Sequence, residues 1–372
     1  MDSRIVEMAK NIVNYSISLK KGEKVLIQAF GMETVPLLRQ VIKEVHAVGG
    51  IPFAENIVPT IRRELLMNAT DEQIETWAKV DGDLMSQMDA YVGIRGGENP
   101  SEMSDVPADK MHLFQVKYQK PVHTQIRVPK TKWVVMNYPS YSMAQAMGTS
   151  LEDFEDFFFK VCNLDYAKLS AAMEKLVSLM EKTDKVRITG PGTDISFSIK
   201  DIGIINCAGT HNIPDGEVFT APVKDSVNGT ISYNTPSRYQ GFVFENVVLK
   251  FEKGKIVEAS ANNTQLLEKI LNTDEGSRYI GEFAIGVNPF INKPMINTLF
   301  DEKIAGSIHF TPGNSYDGPA CNTNKSAVHW DLILRQTADC GGGEIYFDDI
   351  LIRKDGIFVV DELLSLNPDN FQ

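Results

Sequence analysis

The chain of 372 residues carries 49 acidic and 37 basic side chains, which gives a formal charge of −12. Such an acidic chain does not favour binding to a nucleic-acid phosphate backbone, which requires a basic face. Its 43% hydrophobic and 23% charged residues indicate folded domains rather than a disordered chain, and the length predicts two of them.

The first half of the chain alternates between helical and strand periodicity. A strand predicted at 24–28 precedes a helix with apolar residues at 37, 38, 41, 42 and 45, and a second strand begins at residue 51. This order forms a βαβ unit, which predicts a parallel sheet with right-handed crossovers. Further strands are predicted at 90–94 and 133–136, and helical sequence occupies the region between 150 and 180.

The second half has a different pattern, which begins near residue 182. Strands are predicted at 186–188 and 195–199, a hairpin at 247–257, a helix at about 264–271 and more strands between 344 and 360. We therefore predict an α/β N-terminal domain with a parallel sheet over residues 1–182. Residues 183–372 are predicted to form a mainly β (α+β) C-terminal domain.

The cysteines indicate the compartment. Cys162, Cys207, Cys321 and Cys340 are scattered along the chain without a Cys-x-x-Cys pair, which is typical of reduced thiols. The N-terminus begins with an amphipathic pattern rather than a signal core, and no apolar run approaches the roughly 20 residues that span a bilayer. We expect a cytoplasmic protein that binds neither nucleic acid nor a membrane.

Several familiar chemistries lack their motifs. The chain has no Gly-x-Gly-x-x-Gly and no Gly-Lys-Ser/Thr loop, so the glycines at 31, 96–97 and 190–192 are interpreted as turn residues. It also has no Gly-x-Ser-x-Gly, and no cysteine stands in a recognisable catalytic context. The sequence favours neither nucleotide binding nor a nucleophilic mechanism.

The candidates for chemistry lie in the second half. In a strand, His329 and Asp331 would point to the same side as a chelating pair for a divalent metal, with a tryptophan between them pointing away. Glu217 and Glu282 each follow a glycine and precede an apolar residue, where an unpaired buried carboxylate is unfavourable. His309 lies in a similar apolar setting.

These two imidazoles and three carboxylates suit a pair of Zn²⁺, Mn²⁺ or Co²⁺ ions that share a bridging carboxylate and a bridging water. Metal pairs about 3.5–4 Å apart activate water in aminopeptidases and in phosphatases. Residue spacing alone does not choose between those classes. Taken singly, each carboxylate also suits a structural salt bridge, and His309 also suits a core position.

Four motifs that contain these residues resemble a known family. They are Asn-x-Pro-x-Gly-Glu-Val-Phe-x-x-Pro with Glu217, Gly-Glu-x-Ala-Ile-Gly-x-Asn with Glu282, Asp-Glu-Lys-Ile-x-Gly-Ser-x-His ending at His309, and Ser-x-x-His-x-Asp ending at Asp331. In this order they resemble the thermophilic-type metallo-aminopeptidases known as aminopeptidase T and aminopeptidase S. The resemblance extends over nearly the whole chain.

The resemblance implies a cytoplasmic, homodimeric exopeptidase that removes N-terminal residues from small peptides with a free N-terminus. It implies a metal-activated water at a two-metal site in the C-terminal domain, with these ligands: Glu217, Glu282, His309, His329 and Asp331. Tyr316 matches the family's active-site tyrosine, and either Glu217 or Glu282 is a candidate proton shuttle.

Three further residues stand outside the main set. Glu302 is a candidate for a weak ligand or for a position behind the ligands, but a simple salt bridge with Lys303 also explains it. His211 is interpreted as a structural or rim residue. Pro312 departs from the family pattern and is expected to stiffen the loop before Tyr316.

Two alternatives remain open at this point. One is a different dinuclear metallohydrolase on the same ligands, either an amidase or a phosphatase. The other is a non-catalytic metal-binding relic of the fold, although a relic would be expected to have lost some of the ligands.

Overall fold

Two units with their own sheets make up the chain in the computed structural model, which describes residues 2–371. The N-terminal unit comprises the chain up to Asn163 together with Gly209–Ile213. The C-terminal unit comprises Leu164–Ala208 together with the chain from Pro214 onward. The predicted fold class is confirmed, since the first unit holds a parallel sheet and the second holds antiparallel sheets. The domain limits 1–182 and 183–372 stay predictions.

The N-terminal unit is built on five strands, numbered here along the whole chain: β1 (Lys24–Phe30), β2 (Ile51–Ile57), β3 (Ala90–Arg95), β4 (Lys132–Asn137) and β8 (Asn212–Ile213). All neighbouring pairs are parallel, in the order β2-β1-β3-β4-β8. The predicted βαβ unit is therefore present, with β1 and β2 side by side.

Helices connect these strands, as parallel pairing requires. The α-helices are α1 (Ser3–Lys10), α2 (Val35–Ala47), α3 (Pro59–Met67), α4 (Asp71–Ser86), α5 (Ala108–Phe114), α6 (Val128–Lys130), α7 (Tyr141–Ala146) and α8 (Leu151–Cys162). Two π-helical stretches, Asn11–Ser16 and Gln115–Arg127, and a 3₁₀ turn, Met32–Thr34, complete the set.

The C-terminal unit is mainly β. Its strands are β5 (Lys185–Gly190), β6 (Thr193–Ser198), β7 (Ile205–Cys207), β9 (Glu217–Thr220), β10 (Asn228–Ser232), β11 (Ser237–Tyr239), β12 (Phe242–Phe244), β13 (Val248–Glu252), β14 (Lys255–Ser260), β15 (Ile280–Gly286), β16 (Ser307–Pro312), β17 (Ile333–Arg335), β18 (Glu344–Phe347), β19 (Ile350–Lys354) and β20 (Ile357–Phe358). The predicted hairpin corresponds to β13 and β14, which pair antiparallel.

These strands form three antiparallel sheets. One has eight strands in the order β14-β13-β10-β6-β5-β18-β19-β20, one has five in the order β17-β16-β15-β9-β7, and β11 pairs with β12. The helices of this unit are α9 (Tyr166–Met180), α10 (Thr264–Leu271) and α11 (Thr298–Asp301), with 3₁₀ turns at Glu275–Arg278, Ala338–Cys340, Asp361–Leu366 and Pro368–Phe371. The helix predicted at about 264–271 is confirmed as α10.

Aromatic packing defines the apolar face of the sheet with the strand order β17-β16-β15-β9-β7. The ring of Phe197, on β6, lies 5.0 Å from Phe283 on β15 and 5.0 Å from Phe310 on β16. Because side chains alternate along a strand, the residues next to Phe283 and Phe310 project from the opposite face. Those neighbours include Glu282 and His309.

Two further findings bear on the sequence-based expectations. Across residues 2–371, no helix combines the length and the apolar character needed to cross a membrane. All four cysteines are free, as the scattered spacing predicts.

Candidate metal centre

Three adjacent strands bring the first candidates together. Glu217 begins β9, and Glu282 and His309 are each the third residue of their strands, β15 and β16. In the antiparallel register, Gly286 lies opposite Glu217 and Ala284 lies opposite His309. Because these opposing residues are small, the longer side chains have room to meet over the sheet.

The geometry centres on one carboxylate. Oε1 of Glu282 lies 3.3 Å from Nε2 of His309, which is also 3.6 Å from Oε2 of Glu217. Oε2 of Glu282 lies 3.3 Å from Nε2 of His329, which is 3.4 Å from Oδ1 of Asp331. Glu282 therefore belongs both to a first triplet, with Glu217 and His309, and to a second triplet, with His329 and Asp331. Within each triplet the candidate ligand atoms lie within 4.8 Å of one another.

Two members of the second triplet, His329 and Asp331, lie outside the named strands. His329 forms an isolated antiparallel bridge with Gly313, so the strand considered for this segment is reduced to a single bridge. Gly313 has φ +108°, and a Cβ there would stand 2.1 Å from the carbonyl oxygen of Val328, so this approach requires glycine. His329 and Asp331 nevertheless meet as expected, and Trp330 between them is buried.

Hydrogen bonds behind the second triplet fix its orientation. Nδ1 of His329 donates to the carbonyl oxygen of Asn314 at 2.8 Å, which leaves Nε2 facing the carboxylates. The hydroxyl of Thr311, on β16, donates to Oδ1 of Asp331 at 2.8 Å. Partners of this kind orient the ligands in metal sites and make them more basic.

Buried polar atoms that lack hydrogen-bond partners are the main evidence for a cation site at this cluster. Glu217, Glu282 and His309 are 7%, 3% and 1% exposed. Among the described residues, Oε2 of Glu217 and Nε2 of His329 are buried and make no hydrogen bond. Leaving such atoms unpaired is unfavourable, and a metal ion removes that penalty. Imidazole nitrogens with carboxylate oxygens are ligands that Zn²⁺, Mn²⁺ and Co²⁺ accept, so these residues fit the expected metals.

The same carboxylates hold protons on the histidines. Burial lowers the pKa of both imidazoles, but Glu217 and Glu282 outweigh it at His309 and raise its pKa to about 10. Asp331 and Glu282 likewise raise the pKa of His329 to about 11. Burial raises the pKa of Asp331, but its contact with His329 outweighs burial and holds that pKa below its usual range. A metal ion at the cluster competes with these protons.

A buried lysine borders the first triplet. Lys303 is 1% exposed, and its Nζ lies 2.9 Å from Oε1 of Glu217 and 4.0 Å from Oδ1 of Asp215. It also pairs with Glu302, so the salt bridge suggested by the sequence is present. Glu302 has a second set of neighbours, however, because it groups with His309 and Asp331 with one ligand atom of each within 4.8 Å of the others.

Sequence reasoning did not single out Asp215 and treated Lys303 only as a salt-bridge partner of Glu302. Asp215 and Lys303 both stand inside the quoted motifs, two residues before Glu217 and directly after Glu302. Their position within the motifs was the available signal. His211, interpreted as structural or rim, belongs to the N-terminal unit, where its ring packs against Trp133 at 4.6 Å between centroids.

Tyr316 lies at the rim of the cluster. Its ring centroid is 5.0 Å from that of His329 and 5.5 Å from that of Phe219, and the residue is 49% exposed. Pro312 is the last residue of β16, so the loop to Tyr316 begins directly after it. The half-exposed ring of Tyr316 therefore lies beside the candidate ligand His329, where it can contact a molecule that binds at the cluster.

The chain belongs to a known family. A model of the family described as Thermophilic metalloprotease (M29) matches residues 1–358, so the chain is a member and the resemblance is confirmed. Aminopeptidase AmpS of Bacillus subtilis (strain 168) is 27% identical over 345 residues, which cover 83% of this chain and 83% of that protein. The predicted enzyme class, a metal-dependent peptidase, is confirmed at the level of the family.

Two solved structures share the fold across the whole chain. Wild-type AmpT from Thermus thermophilus has a TM-score of 0.77 at 21% identity, over 96% of this chain and 99% of that one. A 2,5-dihydroxypyridine dioxygenase from Pseudomonas putida KT2440 has a TM-score of 0.61 at 13% identity, over 97% and 99%. At these identities the similarity shows the fold alone.

Replacing Thr311 by valine tests whether its hydroxyl supports a metal ligand. Thr311→Val keeps the shape of the side chain but removes the donor to Asp331, so we expect divalent-metal affinity to fall roughly 10- to 100-fold. Isothermal titration with Co²⁺ measures the change. Thr220→Val is the matched control, because Thr220 is also buried on this sheet but donates to the carbonyl oxygen of Gly203. Equal affinities in the two variants would contradict the prediction.

Proposed function

We propose that this M29 family member is an aminopeptidase that removes the N-terminal residue of peptides at a site holding two divalent metal ions. The observation that carries the proposal is the position of Glu282, whose two oxygens each lie 3.3 Å from a different histidine. A carboxylate shared in this way is suited to bridging two ions about 3.5–4 Å apart. Family membership supports the peptidase class, and the name of the relative AmpS supports action at the N-terminus.

Charge supports two ions rather than one. The cluster contains five buried or half-buried carboxylates and one ammonium, that of Lys303, with these carboxylates: Asp215, Glu217, Glu282, Glu302 and Asp331. With neutral histidines the set carries four negative charges in excess when all five carboxylates are ionised, and three while Glu302, whose pKa burial raises to about 8, holds a proton. In both states a single divalent cation leaves buried negative charge uncompensated, which proteins avoid, and a second cation removes it.

In this proposal the first triplet would hold one ion and the second triplet would hold the other, and both ions would share Glu282. Zn²⁺, Co²⁺ and Mn²⁺ all suit these ligands. When bound, such ions polarise the scissile carbonyl and lower the pKa of water to near 7, which supplies the nucleophile. The remaining steps belong to the protein's own residues.

Glu302 is the residue we propose for proton transfer. Glu217 and Glu282 are committed as ligands, which leaves Glu302 as the carboxylate that lies near members of both triplets. Burial raises the pKa of Glu302 to about 8. A general base or acid works best when its pKa lies near the operating pH, so Glu302 is suited to take a proton from water and pass it to the leaving amine.

We propose that Tyr316, at the rim of the cluster, takes part in substrate recognition. The ring of Tyr316 packs against His329, and we propose that its phenol donates to the carbonyl oxygen of the scissile bond as negative charge develops there. We propose that a carboxylate of the cluster or a bound metal ion contacts the free α-amine of the substrate. A requirement for that amine distinguishes an exopeptidase from an endopeptidase.

We also propose that the protein is a homodimer and that it acts in the cytoplasm. Strand β2 lies at the edge of its sheet, and its residues Ile51 and Phe53 are 44% and 38% exposed. An exposed apolar edge strand is a template for pairing with another chain, which supports association with a second copy. Four free cysteines are consistent with a reducing compartment.

The lysine at the cluster disfavours a phosphatase. Phosphate substrates are bound by Arg or Lys side chains that are available to the ligand. Lys303 is instead held by Glu217 and Glu302 and is 1% exposed, so it does not offer its ammonium to a substrate. The cleavage assay described next distinguishes the proposed aminopeptidase from an amidase and from a non-catalytic metal-binding protein.

Removal of metal tests the proposed reaction. The chelated protein is expected to leave a leucine anilide intact, and addition of Co²⁺, Mn²⁺ or Zn²⁺ is expected to restore cleavage. The N-acetyl form of the same anilide is the control and should stay uncleaved, because it lacks the free amine. Cleavage of both forms would indicate an amidase, and cleavage of neither by metal-loaded protein would leave a metal-binding protein without this activity.

Substituting Glu302 separates proton transfer from metal binding. We expect Glu302→Gln to lower kcat by about 10²- to 10⁴-fold while the metal content per chain stays unchanged, because the amide cannot accept the proton. Steady-state kinetics and elemental analysis measure the two quantities. Glu275→Gln, at an exposed position of the same unit, is the matched control and should match the wild type. A variant with near-wild-type kcat would rule out Glu302 in this role.

A further inference from the structure

Lys303 occupies a position that is unusual for a lysine. Its side chain is 1% exposed, and its ammonium lies among three carboxylates, those of Glu217, Glu302 and Asp215. An isolated ammonium is strongly disfavoured in such a buried place, so these contacts are what keep it there. The ammonium is therefore part of the charge balance of the cluster rather than a surface ion pair.

Another group of potential metal ligands, called here the cysteine group, includes two of these carboxylates, Asp215 and Glu217. Cys207, on β7, lies opposite Glu217 in the antiparallel register. One ligand atom each from Cys207, Asp215 and Glu217 lies within 4.8 Å of the others. A thiolate with two carboxylates is a set that binds Zn²⁺ or Co²⁺. This group shares Glu217 with the first triplet, as the two triplets share Glu282.

The two carboxylate oxygens of Glu217 have different neighbours. Oε1 lies 2.9 Å from Nζ of Lys303, whereas Oε2 makes no hydrogen bond among the described residues and lies 3.6 Å from Nε2 of His309. Only Oε2 is thus available to an ion at the first triplet. Without the ammonium, both oxygens of Glu217 would be available. The carboxylate would then be able to ligate an ion at the first triplet or an ion beside Cys207 and Asp215.

We propose that the Lys303 ammonium is a resident cation that fills the cysteine group and thereby confines divalent ions to the two triplets. In this role Lys303 is a positioning residue, because it holds Glu217 to one metal-facing oxygen and does not itself contact a substrate. The inference rests on the metal site of the proposed function. It adds that Cys207, although close to that site, is kept from ligating a metal by the lysine.

The test replaces the lysine and counts Co²⁺ ions. We expect Lys303→Met to bind one more Co²⁺ per chain than the wild type, because a divalent ion takes the place of the lost charge. The added ion should show a sulfur-to-cobalt charge-transfer absorption in the near ultraviolet, which the Co²⁺-loaded wild type lacks. Lys303→Met combined with Cys207→Ser should lose that absorption. Lys303→Arg, which keeps the positive charge, is the matched control and should bind as many ions as the wild type.

Two results would overturn the proposal. One is a folded Lys303→Met variant that gains neither an ion nor the absorption. The other is a sulfur-to-cobalt absorption in the wild type that disappears in Cys207→Ser, which would make Cys207 a native ligand. The second result is accessible even if Lys303→Met fails to fold, because it uses a protein with the lysine in place. Failure of the proposed function would give a different result, because the wild type would then bind no divalent ion at all.

Discussion

The two-sided contact of Glu282 with His309 and His329 is the interaction on which the site depends. Each oxygen of this carboxylate faces a separate nitrogen at 3.3 Å, in a residue that is 3% exposed. Buried charges of one sign are tolerated only with cations nearby, and here the protein itself supplies a single permanent one, on Lys303, within the described cluster. The remaining negative charge makes the cluster suited to divalent ions, and Oε2 of Glu217, which makes no hydrogen bond among the described residues, is a candidate ligand atom for one of them.

The fold produces this cluster through strand alternation and close backbone approaches. Phe283 and Phe310 pack into the core on one face of the five-stranded sheet, which directs Glu282 and His309 to the other face. Gly313 lets the segment with His329 approach closely enough to complete the second triplet. The same overall fold occurs in a 2,5-dihydroxypyridine dioxygenase, so the fold alone does not decide the chemistry. The family match and the set of side chains on this face carry the functional argument.

Much of this arrangement follows from the sequence, since all five predicted ligands lie in one cluster and the parallel and antiparallel halves have the predicted character. The ligand motifs are local, and local patterns are what a sequence displays directly. What it does not display is which residues meet across strands. Lys303 looked like a simple partner for Glu302, and only the folded arrangement shows that it also holds Glu217. The segment at His329 pairs only through an isolated bridge with Gly313, and the local sequence around His329 does not display that partner.

Anomalous scattering from crystals grown with Mn²⁺ tests the central claim most directly, because it locates each ion independently of activity. The account predicts two anomalous peaks per chain, one at each triplet, about 3.5–4 Å apart with the carboxylate of Glu282 between them. A single peak, or peaks away from Glu282, in crystals saturated with the metal would contradict the assignment of a bridged pair.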